Sequence, residues 1–243
     1  MSIDHILVIA FGGPPRAEDV RPFLEIVTRG IPIPKARIDD VAHHYAVTGG
    51  YSPYNEHTQR LYDRVVAGLH AAGVTAPIFL GMRNWNPFFK DVVREINAQG
   101  LRSGLGVILA PHRCDASFEK YLRNVEDAKA ANDAGHITYE YLKPWHTHPL
   151  FIQAQAAFAQ RRLDEVPPAE RAATHLLFTA HSVPMEQARR SRYAEEFAES
   201  SRAVARELKH DAWSLAYQSR SGPPSQPWLE PDVNDALNRA NDC

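Results

Sequence analysis

Short apolar runs alternate with longer amphipathic stretches along the chain, and this alternation restricts the folds open to it. Ile3–Phe11 reads as a strand broken by Gly12-Gly13-Pro14-Pro15. Ala17–Arg29 reads as a helix stopped at Gly30, and Ile31-Pro32-Ile33-Pro34 as an extended linker. A short helix around Ile38–Val47 ends at Gly49-Gly50. Ser52-Pro53 then suits an N-cap and first turn for a helix from about Tyr54 to Ala72. Strands at Pro77–Met82, Gly104–Ala110 and Ile137–Leu142 alternate with helices at Pro87–Gln99 and about Asp115–Asn132. Beyond these come a helix (Leu150–Leu163), a strand (Thr174–Ala180), a helix (Tyr193–Leu208), a strand (Ala212–Gln218) and a loop rich in Ser, Gly and Pro (Ser219–Pro231). The pattern predicts an α/β fold of two Rossmann-like lobes, with parallel sheets flanked by helices and a cleft between the lobes. Lys143–Pro149, with Pro144 and Pro149, marks the expected boundary between an N-terminal lobe (1–143) and a C-terminal lobe (144–243).

The 243 residues suffice for one large or two modest domains. A net charge of −2 gives no general electrostatic case for nucleic acid or an anionic membrane surface as partner. The apolar run Ile6–Phe11 has no Lys or Arg before it, so it reads as a strand rather than a signal peptide. No apolar stretch nears the roughly 18 residues of a membrane span. Cys114 and Cys243 are too few for a disulfide framework, or for a four-cysteine zinc or iron–sulfur site, and point to a reducing, cytoplasmic compartment.

The most informative stretch is His175–Pro184, H-L-L-F-T-A-H-S-V-P. Leu176-Leu177-Phe178 looks like a buried parallel strand, and Pro184 blocks its continuation. Ligands of open α/β sheets bind outside the carboxyl ends of strands, so His181 is placed to take a proton or bind a divalent metal near neutral pH. Gly12-Gly13-Pro14 does not match G-x-G-x-x-G, and no phosphate-binding loop motif occurs, so nucleotide-dependent chemistry is set aside. These glycines read as a turn in preference to a close approach of substrate. Cys114 reads as an ordinary buried thiol. His146-x-His148 has the spacing of a metal pair on an extended chain, but reads as part of a solvated linker. His43 and His44 point apart on a helix. Tyr217-Gln218-Ser219-Arg220 and Pro227-Trp228-Leu229-Glu230-Pro231 form a polar strand end and an aromatic in a proline-fixed loop, equally consistent with packing and with a site.

Taken together, six segments resemble the ferrochelatase family, whose members insert ferrous iron into a porphyrin. They are A-F-G-G-P (Ala10–Pro14), G-G-Y-S-P (Gly49–Pro53), G-M-R-N-W-N-P-F (Gly81–Phe88), L-A-P-H (Leu109–His112), F-T-A-H-S-V-P (Phe178–Pro184) and Y-Q-S-R-S-G-P-P-S-Q-P-W-L-E-P-D (Tyr217–Asp232). They occur in family order from residue 3 to about 236.

The resemblance implies a porphyrin cleft between the lobes, and His181 as the active-site histidine that binds the metal, accepts pyrrole protons, or both. Phe11 falls where many bacterial relatives of the coproporphyrin-using type carry a tyrosine near the metal. Tyr45, Ser52 and Tyr121 match positions that contact the porphyrin or its propionates in that type. Thr28 and His44 depart from the arginines usual at those positions of the family, and Arg29 and Arg83 are the candidates for a replacement cation. No organic cofactor and no iron–sulfur cluster is implied, and Fe²⁺ is a substrate. The expected partners are therefore a porphyrin and Fe²⁺, for a cytoplasmic monomer in heme biosynthesis. The bacterial cast of the contacts favours coproporphyrin III over protoporphyrin IX. The alternatives are a tetrapyrrole-binding relative without turnover, and a chelatase for another metal such as cobalt. Family chains usually run on to an F-x-x-D-H-x-E-like motif whose acid faces the histidine, and to a closing helix. Neither lies within residues 1–243, so slow or undetectable insertion and an exposed apolar strip are expected of this chain.

Overall fold

His5–Ala10 (β1) is buried at every position. A continuous apolar run of this kind belongs inside a parallel sheet covered on both faces. In the computed structural model, which describes residues 2–30, 33–47, 49–221 and 225–241, β1 pairs in parallel with Ile78–Met82 (β2) and Ser103–Ile108 (β3). Thr138–Tyr141 (β4) pairs with β3, giving the order β2-β1-β3-β4. The chain leaves β1 toward one neighbour and returns to the other, which opens a crevice at the carboxyl ends of β1 and β3. The helices between these strands are Val20–Val27 (α1), Lys35–Val47 (α2), Tyr54–Ala71 (α3), Phe89–Ala98 (α4) and Lys120–Ala130 (α5). In α4, Phe89, Val92, Val93 and Ile96 are buried, the stripe expected of a helix lying on a sheet.

Pro149–Asp164 (α6), Leu176–His181 (β5), Met185–Arg190 (α7), Tyr193–Leu208 (α8), Trp213–Gln218 (β6) and Val233–Asn241 (α9) complete the chain. β5 and β6 form a two-stranded parallel sheet in which His181 faces Gln218. Ile152, Ala156 and Val204 form the core beneath it, packed against Phe178 and Leu208. The chain divides into two compact units, Met1–Leu109 with Lys120–Leu142, and Ala110–Glu119 with Lys143–Cys243. Among the described residues no helix is long and apolar enough to cross a membrane.

Several local expectations shift. The first helix stops at Val27, which leaves Thr28 as its C-cap and Arg29 beyond it. The stretch expected as one helix from Asp115 divides into a π-helical turn, Asp115–Glu119, and α5. The strand containing Phe178 is half-buried rather than buried, with Thr179 and His181 exposed. Its β6 side is paired, and among the described residues no strand adds to its other edge. α7 and α9 had no counterpart in the sequence reading. Expectations that rest on Ile31, Pro32, Gly222–Pro224 and Cys243 lie outside the described residues.

Two glycines are fixed by space. Gly12 has φ +82°, and a Cβ there would lie 2.8 Å from the Trp85 backbone nitrogen. At Gly104 a Cβ would lie 2.3 Å from Cε1 of Tyr139 and 2.5 Å from Nε2 of His5, which accepts from or donates to the Tyr139 hydroxyl at 3.0 Å.

Candidate active site

His181 is the last residue of β5, and the backbone around it is tied down on several sides. Ser182 N–H donates to the Gln218 carbonyl (2.7 Å), and its buried hydroxyl donates to the Leu229 carbonyl (3.0 Å). Leu229 N–H donates to Val183 and Met185 N–H to Pro227, each at 3.0 Å. The Tyr193 hydroxyl donates to the His181 carbonyl at 3.0 Å. The P-W-L-E-P loop therefore buttresses the S-V-P turn, which resolves its two readings in favour of a packed loop, and this packing holds the histidine.

His181 Nδ1 lies 2.7 Å from the Ser182 carbonyl oxygen. A carbonyl only accepts, so Nδ1 carries the proton and Nε2 keeps its lone pair. That nitrogen is the one able to take a proton or bind a metal. The ring is exposed and lines a groove of about 640 Å³ with His112, Gln218 and apolar residues of α6 and α8, including Phe151 and Phe158. Four consecutive strand residues, Phe178–His181, line this groove. Because alternate residues face opposite sides of a sheet, the groove runs along the strand's edge.

A second imidazole shares the groove. His112 Nε2 lies 2.8 Å from Ser200 Oγ, whose own proton goes to the Glu196 carbonyl (2.8 Å), so His112 is the donor of the pair. Burial, with a smaller contribution from neighbouring His146, pushes His112 down to about 4, so it is neutral at pH 7. His146 is buried, with Nε2 2.8 Å from Glu199, which corrects the solvated-linker reading. Its isolated spacing with His148 gave no sign of this, because the burial comes from α8 packing against the segment. His148 is exposed and caps α6 by accepting from Leu150 N–H. Among the described residues no three His, Cys, Asp or Glu side chains are grouped to hold a metal. Cys114 is buried and its thiol is pushed up by that burial, as an inert core thiol would be.

In the first unit, several of the residues expected at the porphyrin come together at the carboxyl ends of the strands. Phe11 follows β1; its N–H donates to the Tyr54 hydroxyl (3.0 Å), and its carbonyl accepts from Asn84 N–H (2.9 Å). Its ring packs edge-on to Phe23 (6.3 Å) and Tyr54 (6.4 Å). Tyr45 joins through Phe23 at 6.4 Å and lines a small cavity of about 250 Å³. The Arg83 guanidinium sits over the Phe11 ring at 4.8 Å and over the Tyr121 ring at 5.1 Å. Tyr121 is buried, and that burial raises its hydroxyl above the ordinary tyrosine range, so it stays protonated.

The other expected residues are placed differently. Ser52 Oγ accepts from Tyr54 N–H (3.3 Å) beneath Gly13, a local turn role. Thr28 spends its hydroxyl on the Leu24 carbonyl of its own helix (2.7 Å). His44 is exposed on α2, and Arg29 is exposed on the rim of a cavity that Arg83 also lines. The sequence reading missed Tyr54 and Asn55. Asn55 clamps Gly13 through both backbone groups, accepting at 2.8 Å and donating at 2.7 Å. Their signal was the polar start of the helix after Ser52-Pro53.

Comparison with known proteins shows the family. The family model described as Ferrochelatase matches residues 4–242. A ferrochelatase of Rhodopirellula baltica is 40% identical over 240 residues, covering 99% of this chain and 68% of that protein. Coproporphyrin III ferrochelatases of Nocardia farcinica and Mycobacterium avium are each 37% identical, covering 98% of this chain and 70% and 69% of their own lengths. A match over almost every residue, at this identity and to relatives of one named activity, identifies the chain as a member of the ferrochelatase family.

Proposed function

We propose that this chain inserts Fe²⁺ into coproporphyrin III, with His181 as the group that accepts pyrrole protons and helps to bind the metal. The observation that carries the reading is the His181 ring, with Nδ1–H given to the Ser182 carbonyl and Nε2 left basic at a strand end. Metallation must remove two protons from pyrrole nitrogens and strip water from Fe²⁺. A neutral imidazole performs the first as a general base and assists the second as a nitrogen ligand. Its fixed tautomer matters because reorienting the ring would cost part of that rate.

The aromatic set around Phe11, Phe23, Tyr45 and Tyr121 suits the flat apolar body of a macrocycle, and the protonated Tyr121 hydroxyl suits a carboxylate acceptor. The relatives named for coproporphyrin III support the four-propionate substrate. The reading includes no organic cofactor and no iron–sulfur cluster, and a cytoplasmic monomer, consistent with the low cysteine count.

The test uses residues 1–243 in single-turnover insertion of Fe²⁺ into coproporphyrin III and protoporphyrin IX, with porphyrin binding followed by fluorescence quenching. His181→Ala is expected to lower the insertion rate about 10²–10⁴-fold while binding stays near wild type. An unchanged rate in His181→Ala refutes the role of the histidine. Porphyrin binding with no insertion by either protein favours a tetrapyrrole-binding relative, and insertion of Co²⁺ in preference to Fe²⁺ favours another chelatase.

A further inference from the structure

We propose that Tyr193 is a positioning residue for His181: its hydroxyl clamps the His181–Ser182 peptide from the open edge of β5, and so holds the imidazole in the tautomer that leaves Nε2 basic. This rests on the reading of His181 as the group that takes pyrrole protons.

The need for a clamp follows from the strand. Ser182 N–H donates to the Gln218 carbonyl of β6 at 2.7 Å. The C=O and N–H of a planar trans peptide point in opposite directions, so the His181 carbonyl of that peptide points away from β6. Among the described residues no strand lies on that side of β5 to supply a donor. The Tyr193 hydroxyl supplies it at 3.0 Å. A side chain from the first residue of α8 thus stands where a neighbouring strand would place a backbone N–H.

The peptide is therefore held from both sides, by β6 and by α8. It also lies between the imidazole and its acceptor, because Nδ1–H is given to the Ser182 carbonyl at 2.7 Å. Rotating the peptide changes ψ of His181 and φ of Ser182, two of the angles that set this bond. Tyr193 is itself fixed. Its ring packs against Cys114, Val183 and Ala188 and stands edge-on to the His112 ring at 6.1 Å. Burial pushes its hydroxyl up to about 12, so it stays protonated and remains a donor at neutral pH. Water in the groove can satisfy the carbonyl in its place, but a mobile water does not fix the direction of the peptide. Loss of the hydroxyl therefore loosens His181 without stranding a buried group.

The experiment compares wild type, Tyr193→Phe and Tyr62→Phe. Tyr62 makes the same kind of bond in the first unit, from its hydroxyl to the Ile78 carbonyl at 2.6 Å, and controls for the general cost of a lost tyrosine hydroxyl. Histidine tautomers are read by ¹H–¹⁵N correlation NMR near neutral pH without porphyrin or metal, with the His181 signal assigned from its loss in His181→Ala. Fe²⁺ insertion into coproporphyrin III gives the maximal rate and the half-saturating porphyrin concentration. Wild type should show His181 protonated at Nδ1. Tyr193→Phe should mix in the Nε2–H form and lower the maximal rate about 3–10-fold, the worth of one hydrogen bond, with half-saturation unchanged. Tyr62→Phe should match wild type in both readouts. The other histidine signals report that each variant is folded. A wild-type tautomer in Tyr193→Phe overturns the assignment, as does an intact insertion rate or an equal loss in Tyr62→Phe. An altered tautomer beside a wild type that inserts no Fe²⁺ overturns the chelatase reading and leaves the clamp standing.

Discussion

The neutral His112 beside the groove has a measurable consequence. An unfolded histidine titrates near ~6.5, whereas burial holds this one at about 4 in the folded chain. Below pH 6.5 the unfolded state therefore binds the proton first, and stability falls as pH drops, levelling off only below the folded value. From pH 7 to pH 5 the linkage integral for these two values is about 2 kcal/mol, reduced to roughly 1–2 kcal/mol by solvent reaching the partly exposed ring. The groups against the ring are Ser200, His146 at a ring-centroid distance of 6.0 Å, and Tyr193 and Phe197 edge-on at 6.1 Å; the Glu196 and Glu199 carboxylates lie against His146. The perturbation is His112→Gln, which retains a donor toward Ser200 and cannot titrate. Urea unfolding followed by circular dichroism at pH 7.0, 6.0 and 5.0 provides the readout. Wild type should lose roughly 1–2 kcal/mol more than His112→Gln across that range. The window sits above the range in which Glu199, held low by its bond to His146, begins to protonate. Parallel pH profiles for the two proteins would refute the claim that the half-buried His112 is held neutral in the folded chain.

Phe11→Tyr should shift the absorption spectrum of the bound iron porphyrin, because a phenol hydroxyl would enter the metal's surroundings; an unchanged spectrum would assign Phe11 to the core alone. Gly104→Ala should destabilise the first unit by about 1–3 kcal/mol or more, since the new methyl would sit 2.3 Å from Tyr139 and disturb its bond to His5; a melt at wild-type temperature would contradict this. Thr179→Lys, on the exposed strand edge beside the groove, should slow heat-induced aggregation measured by light scattering, as charges on strand edges block edge-to-edge pairing. Equal aggregation would show that the edge is not the adhesive surface.

What the sequence determined was the alternation and its chemistry. The buried run of β1, the α4 stripe and the breaks at Gly12-Gly13 and Pro184 are local signals, because hydrophobic period and backbone restriction act over neighbouring residues. The placement of His181 at a strand end was legible for the same reason. Its tautomer was not, since that depends on where the Ser182 carbonyl points, and this depends in turn on Leu229, 47 residues away. Burial of His146, the exposure of β5 and the different burial of Arg29 and Arg83 were likewise beyond the sequence. Each is set by which distant surface packs against the residue: α8 over His146, a single paired edge for β5, and two aromatic rings from separate elements around Arg83. Water exclusion and charge pairing at those positions are properties of assembled surfaces, and only the tertiary structure brings the surfaces together.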